Sequence, residues 1–149
     1  MQVPPYDEIE IGHPIGPMRL PPISRLNLAL YCGASHDHNP IHVDPEAAKS
    51  AGLEDVIAHG MLSMAYLGRL ITSWVPQDRL RSFNCRFTGM MHVGDEPVLS
   101  GEITEKRLDG TDALVRVAMT LKDADGNDKA VGEALVALPM TANAGGATT

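Results

Sequence analysis

The residues best suited to chemistry lie in one short run, Ala34-Ser35-His36-Asp37-His38-Asn39-Pro40-Ile41-His42. Asp37 and His42 stand five residues apart, a spacing that a continuous helix throws onto different faces. Pro40 excludes such a helix, because it lacks a backbone donor and drives Asn39 toward an extended conformation. The run must turn, and a turn can bring carboxylate and imidazole to one spot. Such a pair can hold a water molecule, take a proton from it and return one elsewhere. That is the core of a hydratase or dehydratase site. Asp-x-Asn-Pro is also good turn chemistry, so a competing reading has Asp37 merely capping the turn and His42 merely packing.

Other candidates are weaker alone. Ala58-His59-Gly60-Met61 opens the longest apolar segment, and the first N–H groups of a helix there lack internal partners and carry partial positive charge. Gly60 lets another group approach that backbone closely, so its N–H is a candidate donor to an oxyanion, with tight packing as the alternative. His59 reads as a buried, hydrogen-bonded structural histidine. Met61, Met64, Met90 and Met91 could line an acyl pocket, although core filling is the commoner use of methionine. His36, His38 and His42 hint at a metal site, but no further Cys or His cluster supplies a well-spaced remaining ligand, so no metal is expected. Arg79, Arg81, Arg86, Lys106 and Arg107 are candidate phosphate contacts, with a solvated strand face as the default.

The elements that must position these residues follow from local signals. Residues 1–23 are proline-rich and read as an extended lead-in with one strand near Ile15–Leu20. Ser24 caps a short helix reaching about Gly33, with Leu26, Ala29 and Leu30 as its apolar face. Asp44-Pro45 starts a second helix and Gly52 stops it. His59 to Val75 is apolar on nearly every side and predicts a buried helix ended by Pro76. Arg81–Thr88, Glu96–Lys106, Ala113–Leu121 and Ala130–Leu138 read as strands of an antiparallel meander, with tight turns at Asp109-Gly110 and Asp125-Gly126. The class is α+β: a curved antiparallel sheet around a long central helix.

The 149 residues suit one domain, spanning 1–149 with a core at about 5–139 and a loose tail at 140–149. Nineteen acidic against twelve basic side chains give a net charge of −7, which argues against nucleic-acid or anionic-membrane partners. A local basic cluster for an anionic small molecule stays possible. Cys32 and Cys85 are expected as free thiols, the start lacks signal-peptide character, and the chain reads as cytoplasmic.

Asp37-His38-Asn39-Pro40-Ile41-His42 resembles the hydratase motif of the MaoC-like (R)-specific enoyl-CoA hydratases and dehydratases. Ala58-His59-Gly60-Met61-Leu62 is similar to the start of that family's central helix, and Arg86-Phe87-Thr88 with Val93-Gly94-Asp95 to the strand and turn after it. The resemblance spans roughly residues 5–139. It implies a hot-dog fold and a dimer with the site near the subunit interface, either a homodimer or a heterodimer with a related subunit. It makes Asp37 and His42 the catalytic pair, Asn39 the residue that orients the loop and the Gly60 N–H an oxyanion donor; Pro40, from its own geometry, is expected to help fix the loop, and Met61 and Met64, from their adaptable side chains, are the candidate substrate contacts. It implies an acyl-CoA thioester substrate and no cofactor beyond the coenzyme A that the substrate carries. Two departures stand out. His36 occupies the position before the aspartate that relatives often fill with Gly, and Gly68 stands where some members carry a serine, with Ser63 and Tyr66 as possible substitutes. The rival activities are a hot-dog thioesterase, a catalytic subunit working beside a related partner, and a binding domain that kept the fold.

Overall fold

The structure is a computed structural model and describes residues 3–141. Strand β1 (Pro14–Arg19) precedes helices α1 (Arg25–Ser35), α2 (Pro45–Ser50) and α3 (Gly60–Trp74). Strands β2 (Leu80–Phe87), β3 (Val98–Asp109), β4 (Asp112–Lys122) and β5 (Asp128–Leu138) follow. They form one antiparallel sheet in the order β1-β3-β4-β5-β2, with α3 against it. This is the hot-dog fold.

The helix boundaries come from local chemistry. Ser24 and Asn27 close a reciprocal capping box at the start of α1. The Asp44 side chain accepts from the Glu46 N–H, with Pro45 in the first turn of α2. Gly52 follows α2 with φ at +84°, a left-handed conformation that glycine takes without steric cost. α3 packs Leu67, Leu70 and Ile71, each at most 1% exposed, against Leu99, Ile103, Val115 and Val136 of the sheet. A second cluster, built from Ile23, Leu28, Ala48, Val56, Leu62 and Met91, fills the space beneath α1 and α2. Tyr66 touches both clusters and so ties the helical layer to the sheet.

Three expectations need correction. The four long strands are not a simple meander: β3, β4 and β5 are, but β2 pairs with β5. Gly132 of β5 permits that pairing, since a Cβ there would lie 2.5 Å from the Asn84 carbonyl oxygen. Residues 88–97 then cross from one side of the sheet to the other, burying Met91 on the way. Secondly, α3 is not buried all round; Met61, Ala65, Arg69 and Thr72 form an exposed stripe. Thirdly, the apolar face expected on α1 is inverted, with Leu28 fully buried and Leu26 and Leu30 more than 60% exposed. Of the expected tail, residues 142–149 lie outside the described residues, whereas the Thr141 N–H donates to Asp7 Oδ1 at 2.8 Å.

Candidate active site

The loop between α1 and α2 is folded by its own side chains. α1 ends at His36, whose φ of 58° places a non-glycine residue in the left-handed region. That conformation costs an L-residue about 1–2 kcal/mol, which explains why glycine suits this position. The chain then reverses. Asp37 Oδ1 accepts from the Asn39 N–H at 3.3 Å, and Asn39 Oδ1 accepts from the Ile41 N–H at 3.3 Å. Pro40 opens a single 3-10 turn over Pro40–His42. These interlocking turns deliver Asp37 and His42 to one point despite their spacing.

His42 is 7% exposed, and its Nδ1 lies 2.7 Å from the Ile57 carbonyl oxygen. A carbonyl only accepts, so Nδ1 carries a proton, and in the neutral ring Nε2 keeps its lone pair. Nε2 lies 4.0 Å from Asp37 Oδ2. That gap is too long for a direct hydrogen bond, and one water can sit about 2.8 Å from both atoms. The Asp37 side chain is 46% exposed, so the pair opens to solvent on the carboxylate side and is walled by protein on the imidazole side. The Ile57 carbonyl was not foreseen from the sequence. It is placed by main-chain pairing, Ile57 N–H to Ile41 O at 3.3 Å and Ala58 N–H to Met91 O at 2.8 Å.

His59 lies beneath the pair, 1% exposed. Its ring stacks on His42 with centroids 3.8 Å apart and 25° between planes, and Tyr31 of α1 tilts against it at 4.9 Å. Its Nε2 donates to the Asp37 carbonyl oxygen at 3.3 Å. Burial holds the His59 ring below the ordinary imidazole range, and the neighbouring His42 adds to that shift. Burial and the Asp37 charge push the Tyr31 phenol up.

A profile of the MaoC-like domain matches residues 8–124, well over half of the chain. The chain belongs to the MaoC-like dehydratase family. It is 31% identical over 117 residues to nodulation protein N of Rhizobium meliloti, covering 76% of this chain and 71% of that protein. It is 37% identical over 70 residues to a mitochondrial 3-hydroxyacyl-[acyl-carrier-protein] dehydratase of Arabidopsis thaliana, 47% of this chain and 42% of the relative. The match spans only 4% of a fungal fatty acid synthase subunit beta from Aspergillus oryzae, so this chain is far shorter than some of its relatives. Among solved structures, the unliganded R-hydratase PhaJ1 of Pseudomonas aeruginosa superposes with a TM-score of 0.79 and 27% identity, covering 97% of this chain and 96% of that one. An (R)-hydratase from A. caviae, involved in PHA biosynthesis, gives 0.76 and 26%, covering 88% and 98%.

Within this MaoC-like frame the other expected residues fall into place unevenly. Gly60 is the first residue of α3, follows His59 directly and is exposed, and the His59 side chain makes no cap hydrogen bond. A Cβ at Gly60 would meet the Phe87 ring at 3.6 Å, an ordinary contact, so steric crowding does not demand glycine there. Met61 is 53% exposed on the outer stripe of α3 and Met64 is half-buried. A cavity of about 370 Å³ lies beside Ile57, lined by Leu53, Asp55, Val56, Met90 and His92 among others. His36 and His38 are exposed, their rings edge-on at 6.1 Å. Among the described residues neither Ser63 nor Tyr66 hydrogen-bonds Asp37 or His42, and Gly68 faces the Phe83 ring. Arg81 pairs with Asp112, Arg107 with Glu105 and Asp109, and Lys106 donates to the Ile9 carbonyl; among the described residues this leaves Arg79 and Arg86 as the freer of these basic candidates.

One nitrogen or oxygen from each of Asp37, His42 and His59 lies within 4.8 Å of the others, the composition of a metal-binding triad. His59 Nε2 carries a proton bound to the Asp37 carbonyl, so that nitrogen has no lone pair to offer an ion.

Proposed function

We propose that this chain catalyses the reversible addition of water to a trans-2-enoyl-CoA, giving a (3R)-3-hydroxyacyl-CoA, or the reverse dehydration. The observation that carries the reading is His42 Nε2 facing Asp37 Oδ2 across 4.0 Å, a gap sized for one water, with Nδ1 engaged by the Ile57 carbonyl. The (R)-hydratases among the structural relatives and the dehydratases among the sequence relatives support the substrate class.

In this reading the thioester carbonyl accepts from the Gly60 N–H at the start of α3, which polarises the alkene and makes C3 electrophilic. Asp37 and His42 hold the water between them. Its oxygen bonds to C3 while His42 Nε2 receives its proton. A proton passes through the pair to C2 on the same face, so the reaction consumes one water and no external acid. Asn39 and Pro40 keep the loop in register, and Met61 and Met64 border the acyl chain. No resident metal or redox cofactor is invoked; coenzyme A arrives with the substrate.

The chain is read as one subunit of a dimer. β2 lies at an edge of the sheet, and Met61, Phe87 and Met90 leave apolar surface exposed near the site. The partner would be a second copy or a related hot-dog chain. A chain of this fold, 19% identical, occurs in the ChsH1-ChsH2 complex from Mycobacterium tuberculosis. Among the described residues no helix is long and apolar enough to cross a membrane, and two free cysteines suit a reducing compartment such as the cytoplasm.

Purified protein should consume the enoyl-thioester absorbance of crotonyl-CoA without releasing free CoA thiol. Thiol release would instead identify a thioesterase. A folded chain inactive on short and long enoyl-CoAs, alone and with a co-purified partner, would contradict the reading.

A further inference from the structure

His59 makes contacts that packing alone does not require. It touches both members of the pair, by stacking on the His42 ring and by donating Nε2–H to the Asp37 main chain. It also leaves Nδ1 buried with no hydrogen-bond partner among the described residues. A buried polar atom without a partner is uncommon and costly, and an aliphatic side chain would avoid it. The arrangement makes sense if the useful atom is the other nitrogen.

We propose that His59 is the positioning residue of this site: its ring is the platform that fixes the plane of His42, and its Nε2–H is the tie that fixes Asp37. This deepens the hydratase reading and rests on it for the catalytic effect. Two short segments distant in sequence, the Asp37–His42 loop and the start of α3, are thereby locked into one unit. The 4.0 Å gap between Asp37 and His42 is then set by His59 and not by the loop alone.

The unpartnered Nδ1 has a second consequence. Protonating it would bury an N–H with no acceptor and set a positive charge against the His42 ring. The titratable groups that meet His59 are Asp37 from the loop, His42 from the 3-10 turn and Tyr31 from α1. A ring that stays neutral leaves His42 as the member of the stack that takes the proton from water.

Two variants separate the functions. His59→Phe keeps a flat ring under His42 and drops the tie; His59→Gln keeps a donor and drops the platform. Each should lower kcat about tenfold to a hundredfold, with KM within about twofold, because the reacting groups are displaced while the substrate surface is not. The second readout needs no substrate: nitrogen-15 spectra of the histidine rings. Wild-type His42 should carry its proton on Nδ1 and His59 on Nε2, and His42 should lose its single tautomer in His59→Gln. A merely structural histidine would lower Tm without changing His42's tautomer or kcat per folded molecule. Wild-type His59 protonated on Nδ1 overturns the proposal without any variant, as do two folded variants with unchanged kcat and His42 signals. If the spectra behave as expected while wild type hydrates no enoyl-CoA, the tie stands and the hydratase reading falls.

Discussion

Two aspartates in this molecule show what separates a structural carboxylate from a reactive one. Asp123, in the turn between β4 and β5, is 8% exposed and fully engaged. It accepts from the Asn127 N–H and the Asn127 side-chain amide, both at 2.9 Å, and lies 3.1 Å from Lys129 Nζ. Lys129 also donates to the Met90 carbonyl at 3.0 Å, so the cluster clamps the turn to the 88–97 crossing. The Asn127 side chain, then its N–H and Lys129, hold the Asp123 carboxyl well below the ordinary range against the opposing effect of burial. Asp37 is the opposite case. One oxygen closes a turn, and the other is left 4.0 Å from an imidazole lone pair, held apart from it by surrounding structure. The closed cluster has no capacity for another ligand, while the open one is completed by a water. Reactivity in this fold lies where polar groups are kept from satisfying one another, an arrangement that the rest of the structure must hold in place.

Substitutions can break this contrast from either side. The largest effect is expected from His42→Gln, which removes the lone pair facing Asp37; hydration should fall by at least about a hundredfold while the circular dichroism spectrum is retained. Gly60→Pro comes next. His59 has φ −59° and ψ 134°, a conformation compatible with a following proline, and proline is favoured at the first position of a helix. The variant thus deletes one N–H with little strain, and kcat should drop about 10²–10³-fold, whereas Gly60→Ala should stay near wild type. Equal rates for proline and alanine would remove the oxyanion role. Asp123→Ala should do the reverse of both, lowering Tm by several degrees through the lost contacts to Asn127 and Lys129, with kcat per folded molecule unchanged.

The smallest expected effect separates the two clusters by pH. His59 binds its proton less readily when folded than when unfolded, so the unfolded chain takes up more protons as pH falls below about 6.5, and stability declines there. The slope is at most about 1.4 kcal/mol per pH unit for one group. Asp123 has a depressed pKa in the fold, so its contribution is intact above about pH 4 and is lost only below it. Denaturant midpoints between pH 7 and 3 should show the first decline flattened in His59→Phe and the second in Asp123→Ala.

Much of this was legible in the sequence where the determinant is local. Ser24, Asp44-Pro45 and Gly52 mark helix limits through short-range hydrogen bonds and backbone preference, and Pro40 imposes the turn that unites Asp37 with His42. What needed the structure is set by partners far along the chain. Leu26 and Leu30 look like a core face, yet Leu28 is the residue that meets Val56 and Met91. The strand partner of β2 depends on a glycine some 47 residues on, at Gly132 facing Cys85. The Ile57 carbonyl that sets the His42 tautomer carries no side-chain signal at all. His59 was legible as buried, but its stacking on a residue 17 positions earlier was not.

The most direct test is the initial rate of crotonyl-CoA hydration by Asp37→Asn beside wild type. Asparagine keeps the Oδ1 acceptor that closes the turn to the Asn39 N–H, so the loop survives and only the carboxylate facing His42 is lost. A rate reduced at least about a hundredfold, with unchanged Tm, is expected if the pair grips the attacking water. A folded Asp37→Asn protein that turns over within a few-fold of wild type would contradict the assignment of the Asp37–His42 pair as the centre of the reaction.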